Sequence, residues 1–407
     1  MGLLALAAQA RSTENVPRFT VLTVDHGLRK AAAVEAAQVA TQCEKLNLPH
    51  VTLKADETLA ETDIQQQARN LRYRLMAAWC MQNAAQALVL AHHRDDQAET
   101  VLMRMARGSG LSGLGGMAPR QVLHTQAGPI LLVRPLLNYG GVEVKGLAHA
   151  AGLPVIDDPS NDDPKFERVR WRRLLPRLQA VGLRAAQLAD MAAEMRLLQA
   201  ALDKKLTAWL DDYAAWHEYG VLSLPRADFD ALPFVHKQRF MGRFVQYFGQ
   251  YHHPVKQSKT DRLLQHIDET TYGAASLGGL HMRWRKNDFF LGREAAACPA
   301  SMPMRDMISL SDGQFDRRFD FISSQATENV QMGALGARGV AEMRARGAVF
   351  DKAVPAAYYA ALPGIFDGDR LLACPVLAVP GEYLTEVKLS AVYHEHFYRD
   401  IIAGGRG

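Results

Sequence analysis

Short apolar runs alternate with helix-length segments over residues 1–155 of the chain. The runs of strand length cover residues 19–24, 50–54, 87–93 and 129–137. The segment 62–83 repeats apolar side chains every three or four residues, as one buried helix face requires: Ile64, Ala68, Leu71, Leu75 and Trp79. Strands that are apolar throughout and separated by helices predict an α/β fold with a doubly wound parallel sheet. Ligands of such sheets bind beyond the carboxyl ends of the strands.

The pattern changes after residue 180. Residues 185–265 are rich in Ala, Leu, Met and Gln and predict helix alone, whereas the chain from residue 270 interleaves glycine and aromatic residues in short strands such as "MRWRKNDFFLGRE". We therefore expect an α/β domain over residues 1–180, a helical domain over 185–265, and a small mixed α/β C-terminal module over 270–407.

Composition narrows the class of protein. The 407 residues carry a formal net charge of +4, which leaves room for a nucleic-acid partner without requiring one. The cysteines are Cys43, Cys80, Cys298 and Cys374, and their wide spacing favours isolated thiols in a reducing compartment. No apolar run approaches the roughly 18 residues of a membrane span, and "MGLLALAAQA" lacks the basic start of a signal peptide. We expect a cytoplasmic protein that does not contact membranes.

Polar residues follow the first and third strands at their carboxyl ends. "VDHGL" contains Asp25, His26 and Gly27, and "AHHRDD" contains the two adjacent histidines and two adjacent aspartates. We expect both groups to face one crevice. A structural alternative exists for each, because Asp-His-Gly suits an ordinary turn and aspartate caps helices. Adjacent histidines on a strand point to opposite sides without a third ligand, so we expect no metal site, with His93 in the crevice and His92 in the core.

Several stretches together resemble the tRNA(Ile)-lysidine synthases. "VDHGLR", "ARNLRYRLM", "VRPLL" and "DDPSNDDPKFERVRWRRLLP" are similar to successive landmarks of that family. "AHHRDDQAETVLMRMARGSGLSGLGGM" is similar almost residue for residue to its central signature. The similarity runs over about 175 continuous residues, and so many fixed positions make it highly specific.

The resemblance implies an N-type ATP pyrophosphatase fold, with a catalytic domain over residues 1–180 and contact with tRNA through the helical domain over 185–265. It also implies a two-step reaction. ATP, with Mg²⁺, would adenylate the 2-oxo oxygen of the wobble cytidine in a minor isoleucine tRNA. Free lysine would then displace AMP through its side-chain amine. In this interpretation Asp25 binds the nucleotide or its metal, while His26 and Gly27 let the backbone approach the nucleotide.

The second step needs an amine that has lost its proton, although a lysine side chain has a pKa of about 10.4. Asp95, Asp96 and Glu99 suit both the removal of that proton and the binding of a cation, and His93 stands beside them. Asp96 and Glu99 are three apart and share a helix face. We expect one aspartate to cap the helix while its neighbour and Glu99 face the lysine. Which carboxylate is the base stays open.

Basic residues follow in two groups. Arg104 is expected to bind ATP and Arg107 to act in catalysis, with "GSGLSGLGG" as a mobile loop that closes over phosphate or cytidine. The solvated surface loop is the alternative. Residues 165–184 contain many basic side chains and are expected to face tRNA through Arg168, Arg170, Arg172 and Arg173. Val169 replaces the polar Asn usual in the family.

The family's S-G-G-x-D-S loop, which holds the ATP phosphates, does not occur at the front of this chain. We expect that the sequence starts after it, and that strands 19–24 and 87–93 either keep unpaired edges or pair directly. Two alternatives to the ligase stay open: a tRNA-binding protein impaired in catalysis, and another tRNA-modifying enzyme of this superfamily. Thiolation would require cysteines in a suitable pairing. Homodimer formation is also left open.

Overall fold

The computed structural model describes residues 1–11, 17–25, 30–55, 64–125, 128–154, 163–249, 255–299, 301–304, 314–316, 318–323, 330–377, 379 and 387–391. His26 and Gly27 lie outside these described residues. The chain divides into two compact units, Met1–Leu197 and Leu198–Arg406. The boundary falls inside one long helix, Ala185–Tyr213.

The first unit alternates helices and strands, as the hydrophobic pattern predicts. Its helices are α1 (Gly2–Ala10), α2 (Lys30–Lys45), α3 (Ile64–Gln82), α4 (Arg94–Ala106), α5 (Leu111–Leu114), α6 (Gly141–Ala150), α7 (Glu167–Ala180) and the start of α8 (Ala185–Tyr213). Its strands are β1 (Val21–Asp25), β2 (His50–Lys54), β3 (Leu88–Val89), β4 (Arg120–Thr125) and β5 (Gly128–Val133). The α/β class is thereby confirmed.

The strands of this unit form two sheets in the described part of the chain. β1 pairs with β2 in parallel, and β3 pairs with β5 in parallel, while β4 adds to β5 as an antiparallel hairpin. The described residues show no direct pairing of β1 with β3. The sequence pattern missed β4, and it extended the last strand to residue 137 although β5 ends at Val133, before Pro135.

Helices cover both faces of β1 because its side chains alternate between two apolar cores. Val21 packs with α1, α2 and α6, whereas Leu22 and Val24 pack with α3. The α3 core also includes Leu88 and Leu132, so one helix covers strands of both sheets. The strands β1 and β3, whose carboxyl ends precede the polar motifs, are therefore covered by one helix, α3.

The second unit is a mixed α/β structure built around larger sheets. Its helices after α8 are α9 (Arg226–Ala231), α10 (Phe234–Gly249), α11 (Gln257–Glu269) and α12 (Gly336–Ala345). Its first strands are β6 (Ala215–His217), β7 (Val221–Pro225), β8 (Gly273–Leu277), β9 (Leu280–Trp284) and β10 (Asp288–Arg293). The later strands are β11 (Met302–Pro303), β12 (Gln314–Phe315), β13 (Phe319–Ser323), β14 (Val330–Ala334), β15 (Pro363–Asp367), β16 (Arg370–Ala373) and β17 (Val387–Ala391).

Strands β6 and β7 contradict the expectation that residues 185–265 are helix alone. They enter one five-stranded sheet in the order β6-β7-β10-β9-β8, so β7 pairs with a strand more than sixty residues later. Phe240, Phe244 and Phe248 recur every four residues on α10 and pack against this sheet. The division into three domains stays a prediction, because the contacts group residues 198–406 as one unit.

The four cysteines are free thiols, three of them buried, as their spacing indicated. α1 forms over the opening apolar segment and packs against α6. None of the helices in the described ranges is long and apolar enough to cross a membrane.

Candidate active site

The centre of the candidate site is the start of α4, which four residues separate from the end of β3. His93 is the N-cap residue with an extended backbone, and its N–H donates to Asp96 Oδ2 at 2.9 Å. Asp95 and Asp96 lie in the first turn, where the helix dipole favours negative charge. Asp96 therefore stabilises the beginning of its own helix, as the capping alternative requires.

Asp95 contacts a different helix. Its Oδ2 accepts a hydrogen bond of 2.9 Å from the N–H of Gly141, the first residue of α6. A Cβ atom on Gly141 would lie 2.8 Å from that oxygen, so the close approach requires glycine. The Asp95 side chain is 38% exposed, and its Oδ1 has no hydrogen-bond partner among the described residues. Asp95 thus keeps one carboxylate oxygen open to a ligand.

Glu99 is buried between two arginines of α7, contrary to the expectation that it faces the lysine. Arg168 Nε donates to Glu99 Oε2 at 2.5 Å, and Arg172 Nε donates to Glu99 Oε1 at 2.7 Å. Arg168 Nη2 also donates to Asp96 Oδ1 at 2.9 Å. Asp96, Glu99, Arg168 and Arg172, hereafter the Glu99 bridge, join α4 to α7 with two negative and two positive charges.

Both histidines border this centre. His93 Nε2 lies 3.5 Å from Asp96 Oδ2, and its Nδ1 lies 3.9 Å from Asp95 Oδ2. His92 was expected in the core but is half-buried, with a buried Nδ1 that has no hydrogen-bond partner. Burial is the main cause that lowers the pKa of His92 to about 4; the charge of Asp96 raises this pKa, and the charges of Arg134, Arg168 and Arg69 lower it. His92 is therefore neutral at physiological pH.

Arg69 and Arg134, two of the cations near His92, form a cationic cluster with Arg104. Sequence reasoning assigned only Arg104 to the site. Burial lowers the pKa of Arg104, and the charges of Arg69, Arg107 and Arg134 lower it further. None of the three is ion-paired with a carboxylate in the described part of the chain. The motifs "ARNLRYRLM" and "VRPLL" carried the signal for Arg69 and Arg134, but spacing alone gave them no role.

Side chains hold the glycine-rich segment after α4 in place by donating hydrogen bonds to its carbonyl groups. Arg104 Nη1 donates to Gly113 O and to Gly116 O, each at 2.8 Å. Gln97 donates to Met117 O at 2.9 Å and accepts from Met117 N at 2.7 Å. These bonds use Nη1 of Arg104. The expected contact of Arg104 with an ATP phosphate is therefore left to its other N–H groups.

A third side chain binds the same segment from α8. Arg196 Nη1 donates to Gly115 O at 2.6 Å and to Met117 O at 3.2 Å. Residues 111–114 also form the short helix α5. The segment is thus anchored at several points, which differs from the mobile loop that its glycine content suggested.

Comparison with known proteins shows the family of this chain. Residues 1–178 match a family model described as a PP-loop domain. The tRNA(Ile)-lysidine synthase of Ruegeria pomeroyi is 31% identical over 389 residues, which are 95% of this chain and 87% of that protein. The chain belongs to the tRNA(Ile)-lysidine synthase family.

Other comparisons differ in strength. A lysidine synthase from a Bradyrhizobium species is 38% identical over 289 residues, covering 68% of this chain and 79% of that protein. A solved structure, the U34-tRNA thiolase NcsA from Methanococcus maripaludis with its [4Fe-4S] cluster, covers 48% of this chain and 68% of its own at 14% identity. Its TM-score of 0.39 is too low to bear on function.

The basic residues that the lysidine synthase resemblance singled out separate into inward and outward groups. Arg168 and Arg172, four apart on α7, both face the carboxylates of α4. Arg170 and Arg173 are exposed, and Arg170 donates to the carbonyls of residues 164 and 165. Arg107 is 62% exposed and forms an ion pair with Glu167. Exposed arginines of this group therefore remain accessible to RNA.

Asp25 ends β1 and is half-buried, opposite Lys54 of β2. A single carboxylate at a strand end suits Mg²⁺, which is commonly held by one or two carboxylates together with substrate phosphates. No group of three or more His, Cys, Asp or Glu side chains able to hold a metal lies within the described ranges. Asp25 is a single carboxylate of the kind that such a magnesium site would use.

Proposed function

We propose that the chain joins free lysine to the wobble cytidine of a minor isoleucine tRNA at the expense of ATP. The 2-oxo oxygen of cytidine attacks the α-phosphate and pyrophosphate leaves; the lysine Nε then attacks C2 and AMP leaves. The observation that carries the proposal is the pair Asp95 and Asp96 at the start of α4, in a chain of the lysidine synthase family. The lysine ammonium needs a carboxylate that binds it and takes its proton before the amine attacks.

The carboxylates are suited to lysine and the cationic cluster to phosphate. Asp95, with one open oxygen, is suited to bind the lysine ammonium and to take its proton, while Asp96 is suited to orient the amine. Arg69, Arg104 and Arg134 carry positive charge that no carboxylate in the described ranges pairs, which suits the phosphates of ATP or the adenylate. Asp25 would hold the Mg²⁺ that neutralises pyrophosphate.

His92 adds a hydrogen-bonding group, without a charge, to the site. Burial keeps the pKa of His92 near 4, so His92 adds no charge to the cationic cluster at neutral pH. Its unpartnered Nδ1 is able to accept or donate one hydrogen bond, depending on the tautomer. A nucleobase edge or a ribose hydroxyl would satisfy that nitrogen.

The thiolation alternative is disfavoured by the thiols of the first unit. Cys43 is fully buried and Cys80 is 2% exposed. Burial raises the pKa of both thiols, which opposes the thiolate needed for sulfur transfer. No comparable observation disfavours a tRNA-binding protein without catalysis, so the experiment includes that outcome.

The test combines the purified chain with ATP, labelled lysine and an isoleucine tRNA transcript that has cytidine at the wobble position. The expected result is label in the tRNA, with one AMP released for each lysine incorporated. The matched control is the same transcript with uridine at that position, which should take up no lysine. Retained tRNA binding without pyrophosphate release or lysine uptake would overturn the proposal and favour the binding protein.

A further inference from the structure

We infer that Glu99 is a positioning residue for the lysine-transfer step, acting through Arg168 on Asp96 and never contacting substrate. The inference rests on the proposed function. It concerns the Glu99 bridge, whose four side chains lie on two helices and have balanced charges. Three features of the bridge support it: burial, a shared arginine and charge balance.

Burial excludes Glu99 from the substrate. Its side chain is 1% exposed, and each of its oxygens accepts a hydrogen bond from the Nε of one arginine. A carboxylate in such a position is costly to bury unless its partners are in place. Glu99 therefore orders the two guanidinium groups, which are 33% and 42% exposed for Arg168 and Arg172 and so border solvent.

Arg168 connects Glu99 to Asp96, so the position that Glu99 gives to Arg168 also affects Asp96. The same guanidinium that binds Glu99 through Nε binds Asp96 Oδ1 through Nη2. The second oxygen of Asp96 accepts the N–H of His93, so both oxygens have fixed directions. Without Glu99, nothing in the bridge holds the Nε edge of Arg168, and the direction in which Asp96 faces an amine is no longer set.

Charge balance predicts opposite effects on lysine binding when Glu99 or Arg172 is replaced. The bridge holds two carboxylates and two guanidinium groups, and Arg172 Nη2 lies only 3.9 Å from Asp96 Oδ1. Removing the charge of Glu99 leaves both arginines to compete with the lysine ammonium for Asp96. Removing Arg172 instead leaves surplus negative charge, which favours the ammonium.

The first variant is Glu99→Gln, which keeps the size of the side chain. We expect the KM for lysine to rise about tenfold or more, whereas the pyrophosphate-forming step changes by less than about threefold. Circular dichroism checks that the variant folds. The control variant is Glu143→Gln, because Glu143 also pairs with an arginine in the first unit, at 3.0 Å from Arg94, but is 55% exposed. Glu143→Gln should leave the KM for lysine unchanged.

The second test restores the charge balance. In the double variant Glu99→Gln/Arg172→Gln, one arginine faces one carboxylate, and the KM for lysine should return to within about threefold of the wild type. Arg172→Gln alone, on a half-exposed side chain, should lower that KM. A purely structural role for Glu99 predicts the opposite, since each lost bond would weaken the protein further.

The outcomes separate the two claims. Wild-type lysine uptake together with an unchanged KM in Glu99→Gln overturns this inference and leaves the proposed function standing. The inference is also overturned when the double variant is no better than Glu99→Gln, or, should Glu99→Gln not fold, when Arg172→Gln raises the KM. A wild-type chain that takes up no lysine overturns both claims.

Discussion

Arg168 of α7 donates a hydrogen bond of 2.9 Å to Asp96 of α4, across seventy-two residues of sequence. Sequence reasoning assigned Arg168 to RNA binding, but this contact directs its guanidinium group toward the carboxylates of α4. It also separates two roles within α7, since Arg170, two residues later, is exposed. This division between inward and outward arginines is the basis for the experiments on RNA binding below.

Asp95→Asn and Asp96→Asn should differ in stability while both impair lysine uptake. An asparagine at position 95 can still accept the N–H of Gly141 through its carbonyl oxygen, so we expect little change in the free energy of unfolding. Asp96→Asn weakens an N-terminal cap and breaks the charge pair with Arg168, and should cost about 1–3 kcal/mol. Urea denaturation and lysine-incorporation rates measure the two effects. Equal stability of the two variants would contradict this account of Asp96.

Gly116→Ala and Gly108→Ala form a matched pair in the glycine-rich segment. Both glycines have a positive φ, +60° for Gly116 and +66° for Gly108, so alanine costs about 1 kcal/mol at either position. A Cβ on Gly116 would also lie 2.7 Å from Gln97 Oε1, whereas nothing lies within 4 Å of one on Gly108. Gly116→Ala should therefore lose at least about 1 kcal/mol more in chemical denaturation. A loss of the same size in both variants would show that the Gln97 contact does not constrain the segment.

Arg170→Gln should weaken tRNA binding without destabilising the fold. An exposed arginine that neutralises one phosphate contributes about 0.7–0.9 to the slope of log affinity against log salt. We expect that slope to decrease by about this amount in Arg170→Gln, with the free energy of unfolding unchanged within about 0.5 kcal/mol. Filter binding at several salt concentrations gives the slope. Arg168→Gln is the comparison and should mainly lower stability, because it leaves the buried Glu99 with one partner.

His92 should make the stability of the protein depend on acid pH. The pKa of His92 is about 4 in the folded chain and 6.5 in the unfolded chain, so the unfolded chain binds more protons between these values. The contribution is therefore present above about pH 6.5 and is lost as pH falls toward 4. Between pH 7 and pH 5 the loss from this residue is about 2 kcal/mol. Urea denaturation at both pH values should show a smaller loss in His92→Gln than in the wild type, and an equal loss would contradict the assignment.

Periodicity and the length of apolar runs were enough to predict β2, a helix over residues 62–83 that the structure has as α3, and short strands where β9 and β10 lie. Local signals decide such elements, because each follows from neighbouring residues. The pairing of β7 with β10 was not predictable in that way. Short strands among helix-rich sequence gain their stability from a partner far along the chain. β4 was missed although its partner β5 is the next strand along the chain.

The sequence by itself determined the α/β class, the lysidine synthase family and the set of charged residues at the start of α4. Those properties depend on which residues stand at which spacing. Only the tertiary structure decided how the charges pair: Glu99 is buried and Asp95 keeps an open oxygen. The i,i+4 spacing of Arg168 and Arg172 puts them on one helix face, but the packing of α7 on α4 determines that this face meets carboxylates and not solvent. Electrostatic partners act through distance in space, which sequence spacing does not specify beyond one helix.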